Sequence, residues 1–106
     1  MDFQLSKEQR ILQQTVHEFA DSECKPLAGE WDRQACVPGH EVVDKIAALG
    51  LVGMCLPEEY GGGGQDLLSA ILCIEQLARI SPLCAAPVFE SNVGPVRVIE
   101  YFGTEA

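Results

Sequence analysis

Leu67-Leu68-Ser69-Ala70-Ile71-Leu72-Cys73-Ile74 is the stretch that decides how this chain folds. It follows Asp66, a good N-cap, and predicts a helix from about Leu67 to Ile80 whose first half is apolar almost all round. Such a helix must be covered on most of its sides. The chain has 106 residues, which gives room for one domain with one modest core, so it has few elements with which to cover anything. The stretch therefore predicts a further covering surface, supplied by other domains or by oligomerisation.

Before it runs Pro57-Glu58-Glu59-Tyr60-Gly61-Gly62-Gly63-Gly64, a loop, because four glycines in a row carry too much backbone entropy to be held in a helix. The segment reads as a flexible turn. A glycine run before a helix could suggest a phosphate cradle, but no Lys follows it and Glu58, Glu59 and Asp66 would oppose an anion. Nor does G-x-G-x-x-G follow a predicted strand. Leu51 to Leu56 is short and apolar, and its periodicity fits an extended run and a tight buried turn equally.

Further upstream, Val42, Val43, Ile46, Ala47 and Leu49 form a stripe that stops at Gly50, a natural left-handed C-cap. Ser6-Lys7-Glu8-Gln9 has the form of a capping box and predicts a first helix, whose apolar stripe is Leu12, Val16, Phe19 and Ala20. Pro26 should bend or interrupt that helix near Cys24, after which Leu27 and Trp31 could continue it. On the other side, Ser81-Pro82 opens a region that fits two short helices, or one broken near Gly94-Pro95. Gly103 ends it, and Thr104-Glu105 has the look of a cap for a further helix. The whole reads as all-α, a small up-and-down domain of about four to five helices.

Seven basic residues against sixteen acidic ones give a formal charge of −9, which makes nucleic acid and anionic membrane poor partners. No apolar run approaches the roughly twenty residues of a membrane span. The first residues resemble neither a secretion signal nor a transit peptide, so a cytoplasmic location is expected if Met1 is the natural start. Cys24, Cys36, Cys55, Cys73 and Cys84 form no C-x-x-C pair and are expected to be reduced and mostly buried.

No catalytic set emerges. His40-Glu41-Val42-Val43-Asp44 departs from the zinc helix H-E-x-x-H at its last position, and His17 lies at the edge of the first stripe. In a helix after Pro82, Ala86, Pro87, Glu90, Ser91 and Gly94 are read as sharing a face, and four of the five are small. Such a face lets another helix approach closely or leaves room for a ligand; from the residues alone, close packing is the ordinary reading and Glu90 a solvated charge.

Ala48-Leu49-Gly50-Leu51-Val52-Gly53-Met54 followed by Pro57-Glu58-Glu59-Tyr60-Gly61-Gly62-Gly63-Gly64 resembles the signature of acyl-CoA dehydrogenase N-terminal domains. Ile74-Glu75-Gln76-Leu77-Ala78-Arg79 is similar to that family's E-E-L-A-R helix, and Asn92 lies eleven residues before Gly103-Thr104-Glu105. The resemblance covers essentially all 106 residues. It implies the first of three parts of an FAD-dependent enzyme that dehydrogenates an acyl-CoA thioester at its α and β carbons. The flavin-binding β-domain and the C-terminal helical bundle, with the glutamate base, would lie outside residues 1–106, so no catalytic, cofactor or metal residue is assigned to this chain.

The resemblance further implies electron-transfer flavoprotein as a partner and a homo-oligomer. It turns the small-residue face toward the acyl chain, making Ala86, Pro87, Glu90, Ser91 and Gly94 substrate-pocket walls that set shape and length. Pro87 and Pro95 depart from an unbroken helix. A reading of another class stands beside this one: a free-standing helical interaction module derived from such a domain.

Overall fold

A computed structural model describes residues 2–105, all of whose regular structure is helical. Helix α1 spans Lys7–Phe19, α2 Lys25–Gln34, α3 His40–Ala48, α4 Leu67–Ala78, α5 Pro82–Asn92 and α6 Pro95–Phe102. Counting α1 and α2 as one bent rod gives five, within the expected all-α range.

The capping box forms at the start of α1: Ser6 Oγ accepts the Gln9 amide at 3.1 Å, and Gln9 Oε1 accepts the Ser6 amide at 2.9 Å. Pro26 acts as expected, and the way it does so is specific. An α-helical path would need an amide that Pro26 lacks and would drive its ring into the carbonyl one turn back. The rod instead widens into a π turn at Ala20–Cys24 and resumes as α2. The C-terminus of α3 is closed by Gly50, whose φ of 80° suits a residue without Cβ.

Helix α4 is the centre of the fold. Its N-cap is Asp66, whose carboxylate accepts the Ser69 amide at 2.9 Å. Helix α1 packs along one side of it and α5, after a short turn, along another. Between them lies one core, built on Val16, Ala20, Ile46, Leu51, Leu77 and Val88. Polar pairs seal its edges: His17 Nδ1 lies 2.8 Å from Gln76 Oε1, Arg79 reaches Asp21 at 2.9 Å, and Lys45 of α3 reaches Glu23 at 2.8 Å. Cys24, Cys73 and Cys84 are buried, Cys36 and Cys55 half-buried, and all five are free thiols. Burial pushes the Cys73 thiol up to about 12, which leaves it an inert core residue at neutral pH.

The molecule is a slab of 40 × 39 × 22 Å, and its thin dimension explains what happens to α4. Ala70, Leu72, Cys73 and Leu77 are enclosed, but Leu67, Leu68 and Ile71 remain 56%, 48% and 43% exposed. A slab one or two helices deep cannot enclose a helix that is apolar on every side.

Candidate functional site

Helix α5 is built to hold two different environments apart. Ser81 caps it, accepting the Leu83 amide at 3.2 Å, and Pro82 occupies its first turn, where no amide is needed. Cys84, Ala85, Val88, Ser91 and Asn92 face the core. The opposite side carries Ala86, Phe89, Glu90 and Val93, of which Phe89 and Glu90 are exposed.

The inward side grips the loop that connects α3 to α4. Ser91 Oγ accepts the Gly53 amide at 3.1 Å and donates to the Pro87 carbonyl at 2.7 Å. Asn92 Oδ1 accepts the Cys55 amide at 2.8 Å, while Asn92 Nδ2 donates to the carbonyls of Leu51 and Val88, both at 2.8 Å. From α6, Arg97 Nη1 adds a bond to the Cys55 carbonyl at 3.0 Å and lies 2.7 Å from Glu100 Oε2. The segment Leu51–Leu56, for which two conformations were open, is thus a series of turns in which Leu51, Gly53 and Met54 are buried and Val52 is exposed.

A further set of backbone bonds orders the glycine run, which is not the flexible turn its composition suggests. The amides of Gly61, Gly62, Gly63 and Gly64 bond the carbonyls of Glu58, Pro57, Gly53 and Leu56, and the Gln65 amide bonds Met54. Gly62 is needed for close approach, since a Cβ there would lie 2.2 Å from the Leu56 carbonyl oxygen. Loop entropy is overcome because each amide finds a backbone acceptor.

This closure also bears on a flavin dinucleotide, the group implied by the resemblance. A pyrophosphate is held by free backbone amides and positive charge, and here the glycine amides are already bonded while Glu58 and Glu59 stand beside them. The glycine run by itself does not fit that group.

The five residues expected on one face divide. Ala86 is half-buried and Glu90 exposed, both on the outward side, and Pro87 is half-buried at its edge. Gly94 lies past the end of α5 in a non-helical conformation, half-buried, where an added Cβ would sit tightly, 3.3 Å from the Glu90 Cα and 3.5 Å from the Phe89 ring. Ser91 points inward. The reason is rotational: five residues along a helix turn about 140° from the starting direction, so Ser91 cannot share the side of Ala86. The outward side holds Phe89 and Val93 instead, and these, with the Asn92 clamp, are what residue-type reasoning missed. A signal existed, since Asn92 falls in register with Cys84, Ala85 and Val88 and so belongs to the buried stripe.

Two cavities open elsewhere. One, of about 300 Å³, lies between the starts of α1 and α4 and is lined by Leu12, Leu51 and Met54. The other, of about 470 Å³, lies beside α6 between Leu56, Tyr60 and Ile99. Among the described residues no helix is long and apolar enough to cross a membrane, and no three potential metal ligands cluster.

Comparison with known proteins gives concordant matches. The model of the acyl-CoA dehydrogenase N-terminal domain matches residues 6–106. Glutaryl-CoA dehydrogenase of Desulfococcus multivorans is 37% identical over 108 residues, covering 100% of this chain and 28% of that protein. A short-chain-specific acyl-CoA dehydrogenase of Clostridium acetobutylicum is 42% identical over 80 residues, covering 76% of this chain and 21% of that one. Among solved structures, a chain described with the electron transferring flavoprotein of Acidaminococcus fermentans superimposes with a TM-score of 0.87 at 33% identity, covering 99% of this chain and 27% of its own length. The chain thus spans about a quarter of the length of the curated relatives it matches.

Proposed function

This chain belongs to the acyl-CoA dehydrogenase family as its N-terminal domain, and from that premise we propose that it serves as one wall of the acyl-chain pocket in a larger enzyme. That enzyme oxidises an acyl-CoA thioester at its α and β carbons, with FAD held by a central β-domain and the base supplied by a C-terminal helical bundle. The outward side of α5, with Ala86, Pro87, Glu90 and Gly94 and with Phe89 and Val93 beside them, meets the acyl chain. Ser91 contributes from behind, by fixing the loop. These residues set shape and chain length and break no bond.

One observation carries the reading: apolar surface on α4, α5 and α6 lies uncovered on a slab too thin to enclose it, in a chain that matches about a quarter of its relatives. Burying a fully exposed Leu or Phe is worth about 1.5 to 3 kcal/mol, and the half-exposed Leu67, Leu68 and Phe89 stand to gain roughly half of that each from a covering domain. The electron acceptor is an electron-transfer flavoprotein and the enzyme a homo-oligomer; the likeness to a chain described with such a flavoprotein supports the first. Five free thiols support a reducing, cytoplasmic setting.

The test is to express the protein at full length beside residues 1–106 alone. The full-length protein should bind flavin and reduce a dye in the presence of an acyl-CoA, and the shorter chain should be colourless and inactive. Filling the pocket edge with Gly94→Leu should shorten the preferred acyl chain several-fold in kcat/KM terms. Turnover by residues 1–106 alone, or none by the full-length protein with any acyl-CoA, would overturn the proposal.

A further inference from the structure

We infer that Asn92 is a positioning residue: its buried carboxamide locks the rotation of α5 to the course of the Leu51–Gln65 loop, so that the outward side of α5 is presented at one angle. The inference rests on the reading of that side as a pocket wall and adds what holds it in place.

Asn92 is 1% exposed, and both ends of its carboxamide are bonded. A side-chain amide offers two donors and one acceptor oxygen, and all three functions are in use here. Two of the partners, the Cys55 amide and the Leu51 carbonyl, lie in the loop, and neither has helix or strand pairing to fall back on. The third, the Val88 carbonyl, lies one turn back on α5 and fixes the rotamer of Asn92 itself. Removing the carboxamide therefore leaves a buried donor and a buried acceptor unpaired, which the loop can relieve only by moving.

Rotation matters because successive helical residues differ by about 100°. A shift of α5 by one position would bring Val93, which has no polar group to offer, to the loop, and would carry Ala86 and Phe89 from the outward side into the buried places of Ala85 and Val88. Asn92 thus selects which residues face out. The loop then passes the constraint on, through the Gly53 carbonyl to Gly63 and the Met54 carbonyl to Gln65.

The test uses the full-length protein and Asn92→Asp, which keeps the shape and one acceptor oxygen and sets a carboxyl oxygen, in place of the donor nitrogen, against the Leu51 and Val88 carbonyls. Amides of Gly53, Cys55, Gly63 and Gln65 should exchange with solvent about tenfold faster, with the amides of α1 unchanged. The acyl-length profile should flatten and KM rise several-fold, while kcat on the best acyl-CoA stays within about twofold. Unchanged exchange at those four amides, or a uniform rise through α1, would overturn the inference. If Asn92→Asp does not fold, Ser91→Ala removes a single loop bond and should speed exchange at Gly53 first; no change there counts against a clamp. Local opening with an unmoved acyl-length profile would keep the role of Asn92 and sink the pocket-wall reading instead.

Discussion

The loop from Leu51 to Gln65 and helix α6 invert the usual relation between regular structure and burial. The loop has a single 3₁₀ turn at Glu58–Tyr60, yet Leu51, Gly53 and Met54 are buried and its backbone is bonded along its length. Helix α6 has regular backbone, Pro95 at its first turn and not one buried residue, with Phe102 83% and Ile99 68% exposed. The loop is held by polar groups from another part of the chain, which a helix of its own would have made unnecessary. An eight-residue helix has little stability of its own, so α6 relies on local signals and on the Arg97 tie to Cys55. Regularity comes from local propensity, whereas burial requires a partner, and within this chain α6 leans chiefly on α5.

The sharpest way to break this comparison is Gly62→Ala. Because the added carbon meets the Leu56 backbone oxygen and no flexible side chain, neither can yield without opening the turn. The expected loss is on the order of 3 kcal/mol, read as a fall in the urea midpoint. A loss below about 0.5 kcal/mol would show that the glycine turn is loose and that the bonds around it count for little.

A smaller effect is expected where the loop hands over to α4. Asp66→Ala removes the N-cap and should cost about 1 kcal/mol. Hydrogen bonds from Ser69, its side chain first and its amide next, hold the Asp66 carboxyl below its ordinary value of 3.8. A carboxyl lowered on folding stabilises the fold at pH values above its unfolded value, and that contribution fades as pH falls through the folded one. Asp66→Asn should therefore flatten the acid limb of the stability curve below about pH 4 and leave neutral stability nearly intact, since Asn also caps. An acid limb of unchanged steepness would remove Asp66 from the account.

What the sequence made legible follows the range of the interactions concerned. The capping box at Ser6 and Gln9, the cap at Asp66, the stop at Gly50 and the break at Gly94-Pro95 are all local chemistry, and each appears where the residues place it. The uncovered first half of α4 was legible too, because it depends on composition and chain length. The order of the glycine run was not, since the residues that secure its neighbours, Ser91 and Asn92, lie 37 and more positions away. The rotation of α5 was missed for another reason: apolar residues such as Val88 and Phe89 lie on both of its sides, which hid the register that Asn92 shares with Cys84, Ala85 and Val88.

The least effect on stability is expected from Ile99→Ser with Phe102→Ser, and it bears most directly on what α6 is for. Both side chains already face water in residues 1–106, so their loss removes little buried area and should change the urea midpoint of that chain by no more than about 0.5 kcal/mol. Self-association should fall at the same time, because an exposed apolar stripe of Val98, Ile99, Tyr101 and Phe102 is the kind of surface through which isolated domains adhere. If a further domain covers α6 in a longer protein, as proposed, the same pair should cost several kcal/mol there, since the side chains would leave a packed interface and a transfer term of about 1.5 to 3 kcal/mol would apply to each. Equal effects in the two forms would mean that α6 stays open to water throughout, and the exposed stripe would lose its standing as a proposed interface.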